Sequence, residues 1–230
     1  QVFAQGVGIR ACLEALRPAW EAERAAAEAF NRETDGPLRR GVGIASGWYG
    51  CGNTSLPNPS TIKAGVRADG RILLHQGAMD IGQGANTVIA QIFATALGVP
   101  VTAIDLIGAD TDVTPDAGKT SASRQTFVSG NAARACGEAL RARVLGMVNA
   151  SEAAVLTFAP CAITVDDGAS RHRIALDPLA ADADGYVLAA SGHYDPPTKP
   201  LDANGQGEPY AQFGYAAQLA AAEVDTGLGT

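Results

Sequence analysis

Arg71-Ile72-Leu73-Leu74-His75-Gln76-Gly77, then Asp80-Ile81-Gly82-Gln83-Gly84-Ala85-Asn86, then Thr87 through Leu97 is the stretch from which the fold is read. The first piece is apolar and β-compatible. The second is a glycine turn. In the third, Val88, Ile89, Ile92, Phe93 and Ala96 recur at helical spacing and Gly98 and Pro100 stop the run, so the order is strand, turn, helix. A helix start leaves backbone N–H groups unpaired and partly positive, which suits an anionic ligand. Glycines let such a ligand approach the backbone, and Gln83 can both donate and accept.

Upstream, Thr61 to Ala68 alternates Ile62, Ala64, Val66 and Ala68 with Lys63 and Arg67, predicting a strand with one buried and one wet face. Asp69-Gly70 is a type I′ hairpin signal joining it to Arg71–Gly77. Downstream, Val101–Ile107 reads as the next strand. Residues 108–125 show no hydrophobic period and are rich in Asp, Ser and Thr, a length of loop that compact domains keep for binding or leave disordered. That loop ends at a second helix, about Phe127 to Val148, where Ala132, Cys136, Leu140 and Val144 repeat. Thr120-Ser121-Ala122-Ser123-Arg124-Gln125, just before it, offers hydroxyls, an amide and a guanidinium to a phosphate. A Ser/Thr-rich cap with a solvated Arg is the structural alternative. Asp110, Asp112 and Asp116 lack the glycine and terminal Glu of an EF-hand and read as turn and cap residues.

At the N-terminal end, Ile9, Leu13, Leu16 and Trp20 predict an amphipathic helix over about 9–31, with Pro18 expected to kink it or start a second helix. Gly41–Tyr49 is β-compatible and Gly50–Ser60 a loop. Beyond residue 151, short strands at Leu156–Phe158, Cys161–Val165, Arg173–Leu176 and Tyr186–Ala190 are separated by Asp-Gly turns, and Phe213–Val224 is a last strand. The fold class is α+β, mixed sheets with packed helices. Two lobes are expected, a helix plus α+β lobe over 1–150 carrying both loops and a strand-rich lobe over 151–230.

With 17 basic and 24 acidic residues and no basic cluster, nucleic acid is not an expected partner. No apolar run reaches membrane-spanning length and no leader is apparent, so a cytoplasmic protein is expected. Cys12, Cys51, Cys136 and Cys161 stand too far apart for a zinc or iron–sulfur site and are taken as reduced thiols, at least two of them buried on helices.

Asp69-Gly70, His75-Gln76-Gly77, Ile81-Gly82-Gln83-Gly84, Asp110 to Pro115, Ser121 to Gln125 and Ser129-Gly130-Asn131-Ala132, in that order, resemble the molybdopterin-binding subunit of the xanthine dehydrogenase/aldehyde oxidoreductase family. The resemblance runs over about residues 9–230 and is strongest over 60–145. It implies part of the second molybdopterin-binding domain of a molybdenum hydroxylase, an interior segment of a larger polypeptide. Gly82, Gln83, Gly84, Thr120, Ser121, Ala122, Ser123, Arg124 and Gln125 match the cofactor contacts.

The cofactor implied is molybdopterin, in its cytosine dinucleotide form, carrying molybdenum. The implied reaction oxidises an aldehyde or N-heterocyclic or aromatic substrate with water as oxygen source. Iron–sulfur clusters and FAD would sit in partner subunits or domains, and a homo-oligomer stays open. Trp48 and Tyr49 fall near a strand that lines the substrate funnel in relatives, with core aromatics as the alternative. The family's glutamate base lies in a Gly-x-Gly-Glu-Pro motif. Gly205-Gln206-Gly207-Glu208-Pro209 precedes, rather than follows, the strand it should follow, so Glu208 reads as a loop residue and the base is expected beyond Thr230. Two other readings remain at this point, a non-catalytic phosphate-ligand-binding or scaffold module of the same fold, and a serine hydrolase using Ser121 or Ser123.

Overall fold

The computed structural model describes residues 7–52 and 57–230. Elements follow the order α1 (Ile9–Glu33), β1 (Leu38–Gly50), β2 (Ser60–Val66), β3 (Ile72–Gln76), α2 (Ala85–Leu97), β4 (Ile104–Gly108) and α3 (Gln125–Gly146). Strands β5 (Val155–Ala159), β6 (Ala162–Asp166), β7 (Arg171–Ala175), β8 (Leu188–Tyr194) and β9 (Phe213–Asp225) complete it. This is the α+β class expected.

The chain forms two compact units, residues 1–51 with 211–230, and residues 52–210. The expected division at 150/151 falls inside the larger unit. The reason is pairing between segments distant in sequence: β8 joins β2, and β9 runs antiparallel to β1 from Leu38–Asp225 to Gly50–Phe213.

In the smaller unit α1 packs on the β1–β9 ribbon. It runs through Pro18 as a single helix, because Pro18 lies on the wet side where the Glu14 carbonyl it leaves unpaired can meet water. The apolar stripe is only partly buried, with Leu13 39% exposed and Ala27 the helix's one buried residue. Trp48 and Tyr49 are exposed, Trp48 tilted against Phe213, so neither is a core aromatic.

In the larger unit the sheet order is β4-β3-β2-β8, with β3 and β4 parallel across α2 and the other pairs antiparallel. Ile62, Ala64, Val66, Ile72, Leu74, Leu188, Ala190 and Gly192 share the face toward α3. Helix α3 fits because its inner side is built of Ser129, Gly130, Ala132, Ala133, Cys136 and Gly137, all but fully buried. A Cβ on Gly192 would stand 2.0 Å from the Ala132 carbonyl oxygen, and one on Gly137 2.7 Å from that of Phe93. Phe93 on α2 is fully buried within the core cluster, a burial that stabilises by about 1.5–3 kcal/mol.

The opposite face is not wet, as alternation had predicted. Tyr186 lies flat on Gly65, where an added Cβ would meet its ring at 2.2 Å, and its hydroxyl bonds buried His75 Nε2. Lys63 Nζ and the Arg67 guanidinium sit over the same ring.

The Asp69-Gly70 turn also differs from expectation. Only Gly70 has positive φ, whereas a type I′ turn needs two such residues. Gly70 N donates to Arg67 O at 2.9 Å, closing a four-residue turn that ends in a left-handed glycine. Strands β5, β6 and β7 form a separate antiparallel meander in the same unit, and Leu156, Ile163, Val165 and Ile174 join its core.

Of the four cysteines, all free, Cys136 is buried on α3 and Cys12 is half-buried on α1. Cys51 is half-buried outside a helix and Cys161 is exposed, so one rather than two is buried on a helix. Among the described residues, no helix is long and apolar enough to cross a membrane.

Candidate functional site

The 79–84 turn and the 119–124 loop meet in the larger unit. Thr120 Oγ1 accepts from Met79 N at 2.9 Å and donates to Met79 O at 3.2 Å. A surface groove of 390 Å³ opens along the junction, lined by Ile81, Gln83, Thr120–Gln125 and Thr126. Seven of its nine lining residues are ones the sequence singled out: Gln83 and the six of Thr120–Gln125. Ile81 and Thr126 were missed. Ile81 is 76% exposed, and the sequence signal for it is an isoleucine set between Asp80 and Gly82 in an otherwise polar glycine turn.

The two loops are not equivalent. At α2, Asp80 already fills the anion position: Oδ1 accepts from Gly82 N and Gly84 N at 2.9 and 3.2 Å, and Oδ2 accepts from Asn86 N at 3.2 Å. These amide donors hold the Asp80 carboxyl below the usual carboxylate range. Gly82 and Gly84 therefore shape the turn, both at positive φ, and do not line the groove. Gln83 is also largely committed, its Oε1 accepting from Ile81 N at 2.6 Å and its Nε2 donating to Met79 O at 3.0 Å. A short polar side chain two residues from an amide closes the turn internally.

At α3 the helix start is open. Ala122 and Ser123 sit at positive φ, turning the chain into the helix, and Arg124 is the half-in residue before Gln125. The first amides of α3 have no intrahelical acceptor, and among the described residues neither the Ser121 nor the Ser123 hydroxyl makes a hydrogen bond. Both serines are exposed.

Arg124, expected among the phosphate donors, turns inward. It is fully buried, and its guanidinium donates to the carbonyls of Ala117, Lys119 (3.2 Å), Asn58 (2.8 Å) and Pro59 (2.7 Å). Burial lowers its pKa, with Asp116 and Asp195 opposing the shift. Its charge lies behind the loop and its hydrogen bonds hold the loop's shape.

The remaining candidates resolve on local geometry. Asp110 Oδ1 accepts from Asp112 N and Asp116 Oδ1 from Gly118 N, as turn residues do, and no metal-binding cluster occurs among the described residues. Glu208 pairs with Lys199 at 2.7 Å on an exposed loop. The three histidines bond Tyr186, Ser170 and Thr61, so neither Ser121 nor Ser123 has the base a hydrolase needs.

Comparison with known proteins places this geometry. A family model described as molybdopterin cofactor-binding domain matches residues 14–230. A putative xanthine dehydrogenase molybdenum-binding subunit of Escherichia coli is 40% identical over 144 residues, 60% of this chain and 18% of that protein. Aldehyde oxidoreductase of Megalodesulfovibrio gigas is 36% identical over 134 residues, 56% of this chain and 14% of that protein. The crystal structure of the aldehyde oxidoreductase of Desulfovibrio desulfuricans superposes on 98% of this chain and 22% of its own, with TM-score 0.72 and 26% identity. The chain thus spans about a fifth of the length of these relatives. It belongs to the molybdopterin cofactor-binding domain family of xanthine dehydrogenases and aldehyde oxidoreductases.

Proposed function

We propose that this chain forms one wall of the molybdopterin site of a larger molybdenum hydroxylase, with the cofactor's phosphate-bearing part at the start of α3. The observation that carries this reading is the open helix N-terminus flanked by the hydroxyls of Ser121 and Ser123, which make no hydrogen bond among the described residues. These hydroxyls, with the first amides of α3 and the Thr126 side chain, would hold a phosphate. Ile81, Ala122 and the outward side of Gln83 would border the uncharged heterocycle, because Asp80 makes the α2 end unfavourable for a second anion. Gly82, Gly84, Thr120, Arg124 and Gln125 hold both loops in shape. A groove of 390 Å³ takes part of a dinucleotide, so other segments complete the site.

When bound, the molybdenum cofactor supplies the redox chemistry for oxidising an aldehyde, N-heterocyclic or aromatic substrate with water as oxygen source. The cytosine dinucleotide form, electron-carrying iron–sulfur and FAD groups in partner subunits or domains, and a cytoplasmic setting belong to the same proposal. This chain contributes binding and orientation. No catalytic base is assigned to it. Full-length protein from a molybdenum-competent host should contain stoichiometric molybdenum and pterin and release cytidine monophosphate on acid hydrolysis. Purified protein without molybdenum would favour the scaffold reading instead.

A further inference from the structure

Ser129 and Ser60 have no exposed surface and do not themselves line the groove, yet they are two of the few polar side chains in the core of the larger unit. Their hydroxyl oxygens are 2.8 Å apart, Ser60 on β2 and Ser129 on α3. Ser129 Oγ also bonds Gln125 Oε1. That oxygen only accepts, so the Ser129 proton points to Gln125 and Ser60 must donate to Ser129. The Gln125 amide cannot be reversed without loss, since its Nε2 donates to Lys119 O at 3.0 Å and Thr120 Oγ1 at 3.3 Å. Thr120 in turn holds both backbone groups of Met79. A directed chain of hydrogen bonds therefore runs from the core, through Gln125 and Thr120, to the turn that carries Ile81 and Gln83.

We propose that Ser129, backed by Ser60, is a positioning residue that sets the orientation of Gln125 and so latches the 119–124 loop to the 79–84 turn, fixing the width of the cofactor groove. The proposal rests on the cofactor reading above. Removing the Ser129 hydroxyl leaves Gln125 Oε1 without a donor in a dry setting, a state that favours rotation of the amide outward and release of Thr120. Alanine would fill the same space on α3 as well as serine does, so the hydroxyl is present for orientation and not for packing.

The test uses the full-length protein with and without cofactor. Ser129→Ala should speed cofactor release and, in cofactor-free protein, exchange of the Met79 amide, each on the order of tenfold. Ser60→Ala should act in the same direction. Added to Ser129→Ala it should change nothing further, because Ser60 acts only through Ser129. Val144→Ala, buried farther along α3, is the control for simple destabilisation and should leave both rates unchanged. The proposal is overturned if Ser129→Ala moves neither rate, if Val144→Ala matches it, or if the two serine effects add. Wild-type protein lacking cofactor would overturn the cofactor reading, while Met79 exchange would still decide the latch. If Ser129→Ala does not fold, the Met79 exchange of Ser60→Ala decides it.

Discussion

Replacing Arg124 by alanine tests whether a buried guanidinium holds the cofactor loop. Four carbonyls, those of Ala117, Lys119, Asn58 and Pro59, accept from it, and the residue has no exposed surface. Charge-assisted hydrogen bonds contribute about 1.5–3 kcal/mol each, so four sum to roughly 6–12 kcal/mol. Desolvation of the cation offsets several kcal/mol of that, and Arg124 Nε is buried with no partner among the described residues. Water entering the vacated space would recover part of the carbonyls' hydrogen bonding. The net cost of Arg124→Ala is then about 3–5 kcal/mol, a large share of the roughly 5–15 kcal/mol by which a domain is stable. Arg124→Lys should cost about half as much, since an ammonium is a compact donor and cannot span the fork.

The assay is urea-dependent hydrogen exchange of the α3 amides, because Trp20, Trp48 and the long helix α1 all lie in the other unit and would report on it instead. A loss below about 1 kcal/mol for the alanine variant, or equal losses for alanine and lysine, would refute the clamp.

Gly192→Ala should cost about 3 kcal/mol or more, because its Cβ would meet backbone atoms of α3 at 2.0 and 2.4 Å, whereas Gly146→Ala, with nothing within 4 Å, should be neutral or stabilising; thermal melts compare the two. Burial pushes the Cys136 thiol up from 9.0 to about 12, so a thiol reagent should label exposed Cys161 but reach Cys136 only after unfolding. Because the folded form keeps that proton, Cys136 contributes stability in full below pH 9.0, and the contribution is lost as pH rises toward about 12. Asp80 works in the opposite sense. Its folded pKa lies below the ordinary 3.8, so its stabilisation of the α2 start is present above that pH and is lost as pH falls through the lowered value. Asp80→Ala should speed exchange of the Gly82, Gly84 and Asn86 amides at neutral pH, and unchanged exchange would count against the carboxylate cap.

Period and punctuation made much of the fold legible. Val88, Ile89, Ile92 and Phe93 place α2, Ala132 to Val144 place α3, and of the aperiodic 108–125 segment residues 109–124 are loop, its two end residues closing β4 and opening α3. Pairing was less legible, because β8 and β9 find partners far back in the chain and no local signal encodes such contacts. At the groove, sequence found both loops but not the direction of their side chains. Asp80, Gln83 and Arg124 each had an intramolecular acceptor or donor within reach, and a short turn or a buried carbonyl cluster satisfies a polar group with less ordering cost than an outside ligand.

What the sequence determined by itself was the α+β class, the order of the elements and two loops ahead of two helices, since these depend on neighbours within a few residues. Only the tertiary structure decided that one helix start is closed by Asp80 and the other left open, that Arg124 braces instead of binding, and that Ser60 and Ser129 lie behind the loop. Those outcomes depend on which buried donors and acceptors meet once strands and helices distant in sequence are packed together.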